Sequence, residues 1–299
     1  MDLATSAFAT RLPSAADQLR LAFELGLQSL ALVRSDPTAQ LDGLARALEE
    51  SGGRIGVIEA ATLAGGREGE MLCVDLASAD ADRRASAVQL IERHIALAAE
   101  LRCPRLVLQP SPLEGGEFGD RARRISELAR SGEAERTGEL REELALLVER
   151  TQLARLDRFC RTLHALTRKH PRVHFAFATA PGPGWFPDLR ALELVLEDLH
   201  THELHYWHDA AIAHLEAKLR GGAPWDWLER LGGRLSGCYL GDADGWNPGR
   251  VPGSGEVDFR ELKAQLPHSA RRVLRLESGQ SRQSAIEAIR MVRVLDLDV

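Results

Sequence analysis

Residues Gly237 to Phe259 read GCYLGDADGWNPGRVPGSGEVDF, and the fold turns on this stretch. Leu235, Gly237, Tyr239 and Gly241 alternate with Ser236, Cys238 and Leu240, the period of two expected of a strand. The run then breaks into a Gly/Pro-rich loop that ends at Asp258. Asp258 followed three residues later by Glu261 is a capping box, in which each side chain satisfies a backbone amide left unpaired by the first helical turn. The unit is strand, polar loop, helix.

The same rhythm extends in both directions. Upstream, strands are expected at Leu3 to Phe8, Gln28 to Val33, Arg54 to Glu59, Arg105 to Gln109, Val173 to Ala178 and His205 to Asp209; downstream, at Val273 to Glu277. Helical patterns fall between them. Ser14 caps one that runs through Leu25 and closes at Gly26, Thr38 to Glu50 carries Leu41, Leu44 and Leu48 on one stripe, and a third spans about Asp82 to Leu101. Leu189 to Leu199, Trp225 to Leu231 and Ser281 to Val294 supply others, and Glu70 to Leu76 reads as an extra extended piece. Between Leu113 and Gly138 the composition shifts to Gly, Arg and Glu, read either as an insertion on the functional face or as a surface excursion. A long helix over Glu139 to Lys169 follows it. Eight strands, each followed by helical sequence, predict a single (β/α)8 TIM barrel spanning 1–299.

Composition narrows the class. The formal charge of -6 and pI near 6.0 disfavour nucleic acid and anionic membranes, which recruit clustered Lys and Arg. Cys73, Cys103, Cys160 and Cys238 are scattered without a Cys-x-x-Cys pair, so neither a zinc site nor a disulfide framework is indicated and a reducing cytoplasm is expected. The amino terminus shows no basic region followed by an apolar one, and no apolar run approaches about 18 residues.

The loop Pro252-Gly253-Ser254-Gly255-Glu256-Val257-Asp258-Phe259 resembles the seventh unit of the xylose isomerase-like TIM barrels, the superfamily of sugar-phosphate isomerases and epimerases that also contains the endonuclease IV group. There the strand typically ends in His-x-x-Asp; here Tyr239 stands at the His position. The resemblance covers Pro171 to Glu277 well and the first half by rhythm. It implies a divalent-metal set of Glu from strand five, Asp from strand six, His from strand seven and Glu from strand eight. VHFAFATAPGPGWF puts Ala178 at the ligating Glu, YWHDAAIAH keeps Asp209 with Ile212 where a His normally follows, and LRLES keeps Glu277. Two of the four ligands remain. Because Ala offers no donor and a phenol titrates near pH ~10, no bound metal is expected; a weak Mg²⁺ or Mn²⁺ held through water by Asp209, Glu277 and Asp242 is the alternative.

In such barrels chemistry sits at the carboxyl ends of the strands, here Glu59, Gln109, Ala178, Asp209, Tyr239 with Asp242, and Glu277. Glu277, Asp209 and Asp242 are the candidate catalytic residues; Glu59, Gln109, Trp185, His208, Tyr239 and Arg275 are candidate ligand contacts. If Glu277 points inward, period two turns Arg275 and Val273 inward too, and Arg275 can substitute for the metal charge by pairing with Glu277 or Asp209. Parity also places His205 and Trp207 on the face of Asp209, with Trp207 filling much of the lumen. The cluster His200, His202, His205, His208 and His214 straddles a helix end, a loop and a strand, so its side chains should diverge. Trp185 could stack on a sugar or serve as core or lid, and Gly253 and Gly255 could turn amides to a phosphate or make a plain turn.

Three functions follow from the residues and the resemblance. The first is a ligand-binding or regulatory pseudoenzyme for a small, sugar-like polar molecule, with the metal-dependent reaction lost. The second is an active isomerase or epimerase using Glu277 as base and Asp209 or Asp242 to position substrate. The third is a structural or partner-binding subunit. A homodimer is the expected assembly.

Overall fold

The computed structural model describes residues 4–6, 14–33, 40–60, 74–113, 116–200, 203–277 and 279–298. Eight parallel strands alternate with helices: β1 (Ala4–Ser6), β2 (Ser29–Leu32), β3 (Arg54–Glu59), β4 (Arg105–Leu108), β5 (His174–Ala178), β6 (Leu204–Asp209), β7 (Leu235–Leu240) and β8 (Arg271–Leu274). They pair in chain order, and β1 closes the ring by lying between β2 and β8, with Ala4 opposite both Ser29 and Val273. The expected (β/α)8 barrel is what the chain forms.

Around it stand α1 (Ala15–Glu24), α2 (Leu44–Ser51), α3 (Ala81–Glu100), α4 (Gly116–Arg130), α5 (Gly138–Lys169), α6 (Leu189–Asp198), α7 (Ala210–Arg220), α8 (Asp226–Leu231), α9 (Phe259–Gln265) and α10 (Arg282–Val294). Caps fix many of their starts. Ser14, Asp80, Asp188, Asp209, Asp258 and Ser281 each accept a backbone amide of the first turn. No helix among the described residues is long and apolar enough to cross a membrane.

Alternation along the strands separates two cores. Leu30, Ile58, Leu106, Phe175, Phe177, Tyr206, Leu240 and Leu274 face the helices. Ala31, Val57, Val107, Ala176, Ala178, Trp207, Tyr239 and Val273 fill the lumen. The lumen is packed by matching large to small: Trp207 lies in register between Ala178 on β5 and Gly237 on β7, and a Cβ on Gly237 would collide with the indole. Trp207 and Tyr239, fully buried with ring centroids 5.2 Å apart, plug the barrel as parity predicts.

Several boundaries depart from the sequence reading. The helix expected from Thr38 begins at Leu44, because Gly43 adopts a left-handed φ of 75° and Gln40 bridges to Ser14. The strand expected through Glu277 ends at Leu274, although Arg275 still donates its amide to the Leu240 carbonyl at 3.1 Å. After the sixth strand the sequence predicts one helix of which Trp225 to Leu231 is part; the crossover instead carries two, α7 directly after Asp209 and α8 over that segment. Most of the extended piece expected at Glu70 to Leu76 lies outside the described residues. Within the insertion, α4 leads through a 3-10 turn at Ala134–Thr137 into the 32-residue α5. The insertion is stapled to the strand ends: Ser111–Pro112 pairs antiparallel with Trp185–Phe186, and Leu113 donates its amide to Gly184 at 2.7 Å.

Candidate functional site

At the carboxyl end of the lumen the guanidinium of Arg275 is surrounded by three acids, Glu59 and Asp209 from distant parts of the chain and Glu277 from two residues along its own segment. Its Nη1 donates to Asp209 Oδ2 at 3.1 Å and lies 3.8 Å from Glu59 Oε2, while Nε lies 3.8 Å from Glu277 Oε1. The guanidinium carbon also sits 4.9 Å from the centre of the Tyr239 ring, a cation–π contact. Closure of the barrel creates this convergence, since Glu59 ends β3, Asp209 ends β6, and Arg275 and Glu277 follow β8.

Each acid is held differently. Asp209 is buried; besides Arg275 it accepts the Ile212 amide at 3.1 Å as N-cap of α7, and its own amide donates to Thr179 Oγ1 at 2.9 Å. Burial pushes its pKa up, and Arg275 pulls it back. Glu59 is also buried and raised by burial, with Arg275 opposing; Tyr239 Oη donates to it at 3.3 Å and Gln109 hydrogen-bonds it as well. Burial alone would lower Arg275, but Asp209 and Glu59 more than reverse that, so its charge is firmly held. Glu277 is the exception: its side chain is 49% exposed, and it stands at the mouth under the hairpin Asp242–Asp244/Asn247–Arg250. Arg275 is 23% exposed, so Arg275 and Glu277 are the charged groups of this cluster that face outward.

Other sequence candidates go elsewhere. Asp242, expected as a catalytic group, accepts four backbone amides, from Ala243 (2.8 Å), Gly253 (2.9 Å), Gly255 (2.8 Å) and Val257 (3.0 Å), and so anchors the loop from within. The amides of Gly253 and Gly255, considered for phosphate, are taken by this carboxylate, and a Cβ on Gly255 would collide with the Ala243 carbonyl. His208 points by alternation into the layer between strands and helices, where its Nδ1 shares a hydrogen bond with Tyr206 Oη at 2.7 Å and burial lowers its pKa to about 3. It is neutral and away from the mouth. Trp185 is partly buried against the helix-side core beside Leu113, Val148 and Arg155.

A second polar ring lies at the opposite, amino-terminal mouth. His174, Glu203 and His205 present donor atoms within 4.8 Å of one another, His205 Nε2 meeting Glu203 Oε2 at 3.2 Å. Of the histidines noted in the sequence, His202 lies outside the described residues and His200, His205, His208 and His214 form no common group; His205 instead meets His174, with ring centroids 6.1 Å apart. Counting back two residues from the lumen positions Val107, Ala176, Trp207 and Val273 gives Arg105, His174, His205 and Arg271, and that signal was available in the sequence.

The fold has counterparts among solved structures. A D-tagatose 3-epimerase-like protein superposes with a TM-score of 0.67 at 14% identity, over 99% of this chain and 97% of that one. The 3-keto-D-glucoside 4-epimerase of E. coli gives 0.66 at 15%, over 98% and 99%. Endonuclease IV from Thermus thermophilus gives 0.60 at 14%, over the whole of both chains. No protein-family profile and no curated protein matches the sequence. This chain has the xylose isomerase-like TIM-barrel fold. At these identities the likeness establishes the fold alone.

For this barrel the divalent metal implied by the resemblance can be tested against the donors present. Ala178 lines the lumen with no donor, Tyr239 directs its hydroxyl to Glu59, and Asp209 is engaged by a guanidinium at 3.1 Å. A fixed positive charge on the remaining carboxylates repels a second cation, so the residues do not fit a preformed divalent site at the carboxyl end.

Proposed function

We propose that this barrel is a binding protein for a small, hydroxyl-rich polar molecule at its carboxyl-end mouth, in which Arg275 has taken the place of a catalytic metal ion. The observation that carries this reading is the 3.1 Å bond from Arg275 to Asp209 with Glu59 and Glu277 both at 3.8 Å. Arg275 and Glu277 would then donate to and accept from ligand hydroxyls, with Gln109 behind them. The charge of -6 supports a ligand other than nucleic acid or an anionic membrane.

Elemental analysis of chelator-free protein, followed by calorimetric titration with Mn²⁺, Mg²⁺ and Zn²⁺, tests the metal half. The expected result is no ion whose binding depends on Asp209 or Glu277, in the wild type or after Ala178→Glu with Tyr239→His. One ion per chain, lost on Asp209→Ala, would overturn the reading. Screening of pentoses and hexoses with Glu277→Gln as control tests the binding half.

A second reading is favoured by the exposure of Glu277 beside Arg275, an acceptor next to a fixed cation. Glu277 would remove a proton next to a carbonyl and Arg275 would stabilise the resulting oxyanion. Incorporation of solvent deuterium into a bound sugar would replace the first reading by this one.

A further inference from the structure

The amino-terminal mouth holds a cavity of about 470 Å³ lined by Arg105, His174, His205, Ser236, His268 and Arg271, with Trp207 as its floor. Arg105 opens β4 and Arg271 opens β8, strands on opposite sides of the ring, so two guanidiniums face one space from across the lumen. Among the described residues neither forms an ion pair with a carboxylate. Burial lowers the pKa of Arg105, and repulsion from Arg271 and Arg54 lowers it further. The acid at this mouth, Glu203, sits at the exposed rim and is engaged by His205 and His174.

A third observation is independent of charge. Trp207 is completely buried, and its indole Nε1–H has no hydrogen-bond partner. Buried donors are ordinarily paired, and an unpaired one costs about 1–3 kcal/mol. Two partly buried guanidiniums converge on this cavity from opposite strands, and paired guanidiniums are well shaped to recognise an oxyanion; the lining histidines His174, His205 and His268 can add a ring N–H. A cation is disfavoured here: the His174–Glu203–His205 group shares the mouth with both arginines.

We propose that the amino-terminal mouth binds a phosphate group, free or carried by a small metabolite, between Arg105 and Arg271 above Trp207. The site is separated from the carboxyl-end cluster by the Trp207–Tyr239 plug and stands whether or not the function proposed above is right.

The test is a titration of the full-length, indole-¹⁵N-labelled protein with inorganic phosphate, followed in ¹H–¹⁵N spectra. The signal of Trp207 among the five tryptophans is identified with Trp207→Phe. The expected result is saturable movement of the Trp207 resonance with a dissociation constant of about 1 mM or tighter. Arg105→Gln and Arg271→Gln should each weaken binding about tenfold or more while leaving the remaining spectrum in place. A parallel titration with glycerol 3-phosphate distinguishes the sources: tighter binding assigns the site to a phosphorylated metabolite, and equal binding to the free ion. No saturable movement in the wild type overturns the proposal, with no dependence on how any variant folds. Binding that survives both arginine substitutions overturns it too, as does Zn²⁺ binding in place of phosphate that is abolished by His174→Ala.

Discussion

The two ends of one lumen treat positive charge in opposite ways. At the carboxyl end Arg275 is held by Asp209 at 3.1 Å, flanked by Glu59 and Glu277 and stacked on Tyr239. At the amino end Arg105 and Arg271 face a cavity with no carboxylate partner among the described residues. A compensated buried charge is part of the architecture, and its removal uncovers its partners. An uncompensated pair is a strain on the fold that a ligand relieves. The contrast separates structural charge from available charge without reference to any relative.

Removing Arg275 should have the largest effect. Arg275→Gln leaves Asp209 and Glu59 buried without their counter-charge, and denaturant unfolding at neutral pH should show a loss of about 3–5 kcal/mol. The loss should depend on pH with a definite sign. Both carboxyl groups are raised by burial, and without Arg275 they rise further. A raised acid contributes stability below its unfolded pKa and loses it as pH climbs through the folded value. The deficit of Arg275→Gln should therefore shrink toward acid pH; a flat profile would mean that Arg275 is not balancing these acids.

Asp242→Ala should come next, at about 3 kcal/mol, the size of two charge-assisted hydrogen bonds, because amides of the exposed loop can turn to water when the carboxylate goes. Ligand binding at the mouth should survive in whatever fraction stays folded. Loss of binding in a fully folded variant would return Asp242 to the functional set.

Gly237→Ala should cost about 1–3 kcal/mol by forcing the Trp207 ring against its neighbours. It tests whether the plug separating the two ends is as tight as the packing implies, and thermal unfolding would measure it. The smallest effect belongs to the amino end. Arg271→Gln in phosphate-free, low-salt buffer should leave stability unchanged or raise it by less than about 1 kcal/mol, because a repulsive pair is being relieved. A loss comparable to that of Arg275→Gln would erase the contrast.

Much of the fold was legible because it depends on local pattern. The capping residue Asp258, the period of two through Gly237 and Tyr239, and the Gly26 stop all act within a few residues of themselves. Helix α7 as a separate element escaped because its first turn is capped by Asp209, which the resemblance had already assigned to a ligand position. The site was less legible. Period two places Arg275 beside the acids and Trp207 in the lumen; that Arg105 and Arg271 share one cavity depends on which strands stand opposite each other across the ring. Asp242 and His208 carried the right chemistry for a site and were drawn off by partners that a strand-end rule does not reveal.

By itself the sequence determined the βα rhythm, the loop that anchors its seventh unit, and the side chains carried at Ala178 and Tyr239, because these are properties of residues and their near neighbours. Only the tertiary structure decided which charges meet. Ring closure brings Glu59 and Arg275, far apart along the chain, to 3.8 Å, and turns the first residues of β4 and β8 toward one cavity. Side-chain parity says which way a residue points; what it finds there depends on strands that only a closed barrel places opposite one another.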